Sequence, residues 1–447
     1  MYKYATICGM QKVEVGKIKN FKELAINDSR RVALEIAEAG LFAIDTKMAV
    51  RNFITADKNQ IVFGNGLVVR SLDTGKRIFF IGIGKCAYDA AVAVEEILGD
   101  KLTGGIVFDV NLPEVNTLKY IRSFVGTHPF PSEGNVAVSK EIVHLLKDLS
   151  EDDFVIMAIS GGGSTLLCLP HNNRTCLDEK LIVEELFSVG ATIQEINTIR
   201  KHISSVRGGF LAKHAYPARV VSLIFSDVPG NNPGFISSGP TVRDETTVGD
   251  AIEIFNRYKI TMPDEIGEVL LETPKETKYF ENVYNTIVVS NDVALRAMEK
   301  RANELLFEVR IVDDKLFGEA REVGPKILET IRKAHGRAVF LWGGETTVKV
   351  NDFGTGGRNQ ELVLSTISDI RFGEVVLSFA SDGRDNGEYM GAIADNVLKK
   401  EAEKLSLKPE EFLDKNDSTS FFKKTGGLLK SGYTGSNVSD LIIGIKF

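Results

Sequence analysis

Two periodicities alternate along this chain. Continuous apolar runs of strand length occur at RIFFIGI (77–83), GGIVFDV (104–110), DDFVIMAIS (152–160) and ARVVSLIF (218–225). Such runs suit strands buried on both faces, whereas a half-exposed strand would alternate apolar with polar. Between them, apolar residues return at spacings of three and four. From Ser29 to Ile44 the positions Val32, Ala33, Ile36, Leu41 and Phe42 form one helical face behind an Asp28 or Ser29 cap. Further helices are expected from Ala87, from Val136 and from Glu179 to Ile203, with another strand near Ser123. Strand and helix in turn predict a parallel sheet covered on both sides.

The polar stretch TMPDEIGEVLLETPKETKYFENV interrupts this pattern before NTIVVSNDVALRAM restarts it as strand, turn and helix. The division is therefore expected before Asn285, giving domains 1–284 and 285–447 with a ligand cleft between them. In the second, RAVFLW reads as a buried strand, TTVKV as a half-exposed one and RNQELVLSTI as a helix, so that GGETTVKV resembles a hairpin within a mixed sheet.

Composition narrows the function. At 447 residues the chain exceeds one ordinary core, and 43% hydrophobic with 26% charged residues is normal for a globular protein. A net charge of −7 argues against a nucleic-acid-binding surface, which needs a basic stripe to displace counterions. Cys8, Cys86, Cys168 and Cys176 show neither CxxC pairing nor zinc spacing, as expected of reduced thiols in a cytoplasmic protein. No signal peptide is visible, and runs such as VIMAIS are too short to span a bilayer.

The chemistry gathers where elements join. Gly82-Ile-Gly-Lys85 follows a strand and opens a helix, placing Lys85 at the mouth of a βα loop. The spacing also fits a dinucleotide fingerprint, with Ala87 in the last glycine place and Asp109 ending the next strand. It is not a Walker A motif, because Cys86 follows the lysine. Ser160-Gly161-Gly162-Gly163-Ser164 can curl its amides into a nest for phosphate oxygens. Asn197, Arg200, Lys201 and Arg207 cluster at a helix end. Asp227 and Asp382, with Asp385, follow apolar strands, where α/β sheets keep their sites, and paired hard oxygens suit Mg²⁺. Arg358, before Asn359, stands at a helix start that favours anions, and Glu345 lies in a Gly-Gly-Glu turn.

Together, GIGKCA, HPFP, AISGGGS, INTIRKHIS, SDVPGNNP with ISSGPT, GGETT, GGRNQE, SDGRD with GAIAD, NDS and TGSNVSDL resemble the MOFRL-type glycerate 2-kinase family through nearly the whole chain. The resemblance implies a larger Rossmann-like domain with a mostly parallel sheet and a smaller mixed-sheet α/β domain. It implies Mg²⁺-dependent transfer of the γ-phosphoryl of ATP to D-glycerate, giving 2-phosphoglycerate. Asn231-Asn232 stand where that family is associated with an acidic residue, which throws more weight on Asp227. In this scheme Lys85 and Arg358 serve the phosphoryl group and the glycerate carboxylate, in either order. Asp227 orients or deprotonates the hydroxyl or binds metal, with Asp382 as second metal ligand. Gly82, Gly84, residues 160–164, Asn197, Lys201, Glu345 and Asn359 are expected to bind ATP or substrate. A homodimer is compatible with the scheme. The rivals are a nicotinamide-dependent hydroxypyruvate reductase and a non-catalytic nucleotide or sugar-phosphate binder.

Overall fold

The computed structural model describes residues 16–70, 75–172, 174–228, 230–260 and 270–447. Cys8 and residues 261–269 of the polar interruption lie outside them. A small antiparallel sheet of β1 (Ile54–Ala56), β2 (Gln60–Phe63) and β3 (Val68–Arg70) precedes two six-stranded sheets.

The first large sheet comprises β4 (Ile78–Ile83), β5 (Gly104–Asp109), β6 (Ile121–Val125), β7 (Phe154–Ser160), β8 (Arg219–Phe225) and β9 (Val283–Val289), in the order β6-β5-β4-β7-β8-β9. Every pairing in it is parallel. All seven residues of β7 are buried, as a sheet covered on both faces requires. Alternation along β4 feeds two cores. Phe80 packs with Ala90 and Val94 of the helix Ala87–Leu98, while Ile81 and Ile83 join Ile142 and Leu146 of the helix Glu133–Lys147. Burying a side chain such as Phe80 contributes about 1.5–3 kcal/mol. The chain leaves β4 toward β5 and β6 on one side, then returns to β7 on the other. Its loops therefore part at the carboxyl ends of β4 and β7, the crevice where such sheets bind ligands.

Two expectations need correction. A division before Asn285 would cut β9, where Asn285 is paired with Ser222 of β8. The restarting strand completes the first sheet because β8 has a free edge to offer. The second sheet begins at Glu308 and comprises β10 (Glu308–Leu316), β11 (Ala338–Gly344), β12 (Glu374–Ala380), β13 (Gly391–Asp395), β14 (Leu428–Leu429) and β15 (Asp440–Lys446). Its order is β10-β11-β15-β12-β13-β14, with β10 parallel to β11 and the remaining pairs antiparallel. No GGETTVKV hairpin forms, because β10 and the C-terminal strand β15 occupy both edges of β11. Residues 345–357 become a loop instead, touching strand geometry only at a bridge between Thr347 and Glu319.

The two sheets share a continuous core. The helix Asp28–Ala43 packs on the helix Asn291–Glu304 and on β12 and β15. Arg30 from this early helix forks onto Asp395 at the end of β13, Nε to Oδ2 at 2.9 Å and Nη2 to Oδ1 at 2.6 Å, with both side chains buried.

Candidate active site

The loops after β4, β7 and β8 form one wall of a cleft. Gly84 has φ +107°, and a Cβ there would stand 2.3 Å from Ser160 Oγ, so only glycine lets these two turns meet. Their contact is hydrogen-bonded, Lys85 N donating to Gly161 O at 3.0 Å and Cys86 N to Ser160 Oγ at 3.3 Å. Lys85 is thereby projected into the cleft beside Asp227. Burial raises the Asp227 carboxyl above its ordinary pKa and Glu345 adds to this, while Lys85 opposes it.

The facing wall belongs to the second sheet. Glu345, Arg358, Asp382 and Ser439 line the same cleft of about 1030 Å³ as Lys85 and Asp227. Arg358 opens the helix Arg358–Leu364 and is held by three bonds: Nε to Asp440 Oδ2 at 2.6 Å, Nη2 to Asp440 Oδ1 at 3.1 Å and Nη1 to Glu345 at 2.6 Å. A guanidinium has five N–H donors, so the remaining ones are free for a ligand. Burial disfavours the Arg358 charge, but Asp440 and Glu345 more than offset it and hold its pKa above the ordinary value. Burial also pushes the Asp440 carboxyl up to about 7, against the pull of Arg358 and Asn359.

Three candidate anion sites were legible as amide clusters, and the structure separates them. The amides of Gly84, Lys85, Cys86, Ala87 and Tyr88 are all taken, the last by Asp109 Oδ2 at 3.0 Å. A dinucleotide pyrophosphate would find none of them free, and Asp109 caps the helix instead of awaiting a ribose. The start of the Arg358 helix is closed too: Asp385 accepts from Asn359 N at 3.1 Å and Gln360 N at 2.9 Å. This corrects the reading of that terminus as a phosphate seat, since a buried carboxylate already satisfies its dipole. Only the glycine turn stays open. Gly162, Gly163 and Ser164 donate their amides to no group among the described residues.

Lys201, Asn197, Gly82 and Asn359, also expected at the site, do not line this cleft. Lys201 is buried away from the cleft lining, with its ammonium on Asp244 Oδ1 at 2.9 Å, so its charge is already balanced. Asn197 accepts from Ser238 Oγ at 2.7 Å, and Ser238 in turn meets Ser164 Oγ at 2.9 Å. Gly82 lies within β4, where a Cβ would crowd Phe80 and Ala87. Asn359 is buried between Asp385, Asp440 and Ser378, and positions its neighbour Arg358 without lining the cleft. The sequence reading missed Asp440, Ser439 and Tyr433 as individuals, although they fall within and beside TGSNVSDL. Tyr433 Oη donates to Lys85 O at 2.7 Å and Ser439 Oγ to Asp227 O at 3.1 Å, which ties the second sheet to both residues.

Asp227 and Asp382 both present oxygen to the cleft. Among the described residues no three His, Cys, Asp or Glu side chains gather as a metal cage. Mg²⁺ needs none when phosphate oxygens and water complete its shell, so this pair fits that ion. Among the same residues no helix is long and apolar enough to cross a membrane.

Comparison with known proteins agrees with this architecture. Residues 32–271 match the model of a domain of unknown function, DUF4147, and residues 338–440 match the MOFRL family. The chain is 34% identical to the D-glycerate 2-kinase of Thermotoga maritima over 83% of its own length and 90% of that protein's. It is 35% identical to the glycerate 2-kinase of Pyrococcus horikoshii, over 94% and 97% respectively. The crystal structure of glycerate kinase from Thermotoga maritima superposes with a TM-score of 0.84 at 31% identity, covering 93% of this chain and 99% of that one. The chain, with its parallel-sheet and mixed-sheet halves meeting at Lys85 and Arg358, belongs to the MOFRL-type glycerate 2-kinase family.

Proposed function

We propose that this protein transfers the γ-phosphoryl of ATP to the 2-hydroxyl of D-glycerate, producing 2-phosphoglycerate and ADP. The observation that carries this reading is the convergence of Lys85 and Asp227 from one sheet with Glu345, Arg358 and Asp382 from the other on a single cleft. Phosphoryl transfer needs alignment of a hydroxyl with phosphorus and neutralisation of charge on the phosphate oxygens, more than covalent participation by the protein. The bond from the γ-phosphorus to the β-bridging oxygen breaks as the bond to the glycerate oxygen forms.

Lys85 and Arg358 supply the fixed positive charge. Preorganised donors are worth about 10²–10³ in rate each, and Arg358 is held in place by Asp440 and Glu345. Asp227, beside Lys85 on the cleft wall, orients the attacking hydroxyl toward phosphorus. Asp227 and Asp382 would hold Mg²⁺, which when bound neutralises charge on the β- and γ-phosphate oxygens. The open amides at 162–164 support binding of phosphate or substrate oxygens at the glycine turn.

The test is phosphorus NMR of the product formed from D-glycerate and ATP, run beside hydroxypyruvate with NADH. A 2-phosphoglycerate resonance with no NADH oxidation is expected. NADH consumption without phosphoester would replace this reading with the reductase, and binding without turnover would leave a sensor.

A further inference from the structure

A second pocket, about 330 Å³, is lined by His128, Phe130, Thr165, Val183, Phe187 and Arg200. It adjoins the cleft through a single glycine. A Cβ at Gly162 would stand 3.4 Å from Lys85 Cγ and 3.6 Å from His128 Cδ2, so the lysine and the histidine flank the same turn.

Arg200 lies in the last turn of the helix Ile193–His202 and is half-buried, its head on the pocket wall. Among the described residues its guanidinium has no hydrogen-bond or ion-pair partner. The nearby carboxylate that could have balanced it, Glu179, is instead bonded to the fully buried Arg207. Glu184, also on the pocket wall, faces Lys180 at 3.7 Å. The pocket therefore holds one positive charge in excess. Burial and the Arg207 charge lower the Arg200 pKa to about 10, which leaves it protonated at neutral pH. His128 is pushed toward its neutral form by burial and by Lys85 and Arg200. A half-buried guanidinium with no counterion in the protein leaves its donors open to an anion from outside.

Chemistry and size identify that anion. Phe130, Val183 and Phe187 line one side of the pocket with apolar surface and offer no competing counterion. The planar fork of arginine matches a carboxylate. Thr165 gives its proton to Pro129 O at 3.2 Å, so its oxygen is left to accept from a substrate hydroxyl. The volume suits a small hydroxy acid, whereas a nucleotide requires the larger cleft.

Building on the kinase reading above, we propose that Arg200 binds the carboxylate of the acceptor, with the acid held in the His128–Arg200 pocket and its hydroxyl directed past Lys85 into the cleft. Lys85 and Arg358 are then both free to act on the phosphoryl group, which resolves the choice the sequence left open.

The test compares wild type with Arg200→Met and Arg200→Lys, measuring kcat and the KM of D-glycerate and of ATP separately, with glyceramide as the uncharged acceptor. Loss of a charged hydrogen-bonded pair predicts a glycerate KM raised about 10- to 150-fold in Arg200→Met. The ATP KM should stay within about twofold, because the nucleotide does not touch this pocket. Wild type should discriminate against glyceramide by a similar factor, and Arg200→Met should not. Arg200→Lys, which keeps the charge but loses the fork, should fall between, and carries the test if the methionine variant does not fold. Absence of any phosphorylation by wild type would refute the kinase reading itself. An active wild type whose glycerate KM is unmoved by either substitution, or whose ATP KM rises as much as the glycerate KM, would overturn the carboxylate assignment alone.

Discussion

Replacing Gly161 with alanine should separate folding from catalysis. An added Cβ would lie 1.8 Å from Asp227 Oδ2 and 2.6 Å from its Cγ. Ordinary carbon–oxygen contact is about 3.3 Å, so the carboxylate has to retreat by roughly 1.5 Å. Gly161 is not among the positive-φ residues, and the backbone accepts alanine without strain. Alanine also narrows the unfolded ensemble, worth about 0.4–1 kcal/mol in favour of the fold, against about 0.5–1.5 kcal/mol for driving Asp227 off its rotamer. These nearly cancel. A shift of the thermal midpoint of no more than about 4 °C is expected. Activity should not survive so well, since about 1 Å of misplacement at a reacting group costs on the order of 10²-fold in rate. The assay is ADP release at saturating D-glycerate and ATP, beside a thermal melt, with Asp227→Asn as reference. Wild-type turnover in folded Gly161→Ala would remove Asp227 from the mechanism. A midpoint lowered by much more than the expected shift would show that the carboxylate does not yield and that the backbone moves instead.

Lys85→Met and Arg358→Lys should each lower kcat by at least about 10²-fold with unchanged circular dichroism, because a lysine cannot span Asp440 and Glu345 as the guanidinium does; normal turnover in either would dismiss that residue. Excess chelator should abolish transfer, with recovery on adding Mg²⁺, and full activity without divalent metal would exclude the Asp227–Asp382 assignment. A pH effect is expected far from the cleft, at Arg77 and Asp153. Burial alone would raise the Asp153 carboxyl, but Arg77, at 2.6 Å, and Ser150 hold it at about 2. This lies below the unfolded value of about 3.9, so the stabilisation is present above that pH and is lost as pH falls toward 2. The urea midpoint of Arg77→Met should therefore trail wild type at pH 7 and approach it as pH drops from 5 to 2.5. A constant gap would deny the linkage.

Much of this protein is written locally. The apolar runs at 78–83 and 154–160 became β4 and β7, and the glycines after them became the turns that carry Lys85 and face Asp227. Strand period, helix period and turn chemistry involve neighbours a few residues apart, so they can be read before any fold is known. Arg358 was legible as a cation at a helix start for the same reason.

Competition between distant partners was not legible. Whether β9 joined the first sheet or opened the second depended on which strand offered a free edge, and the expected hairpin failed because a strand from the far end of the chain claimed β11 first. The same holds for polar groups. Lys201 and Arg200 are neighbours in the sequence, yet Asp244 balances the first while Glu179, whose field reaches the second, is bonded to Arg207. Sequence alone determined which chemistry this chain possesses and at which junctions it sits. Only the tertiary structure decided which amides and charges were already satisfied, because each buried donor or ion selects its partner from everything that folding brings near it.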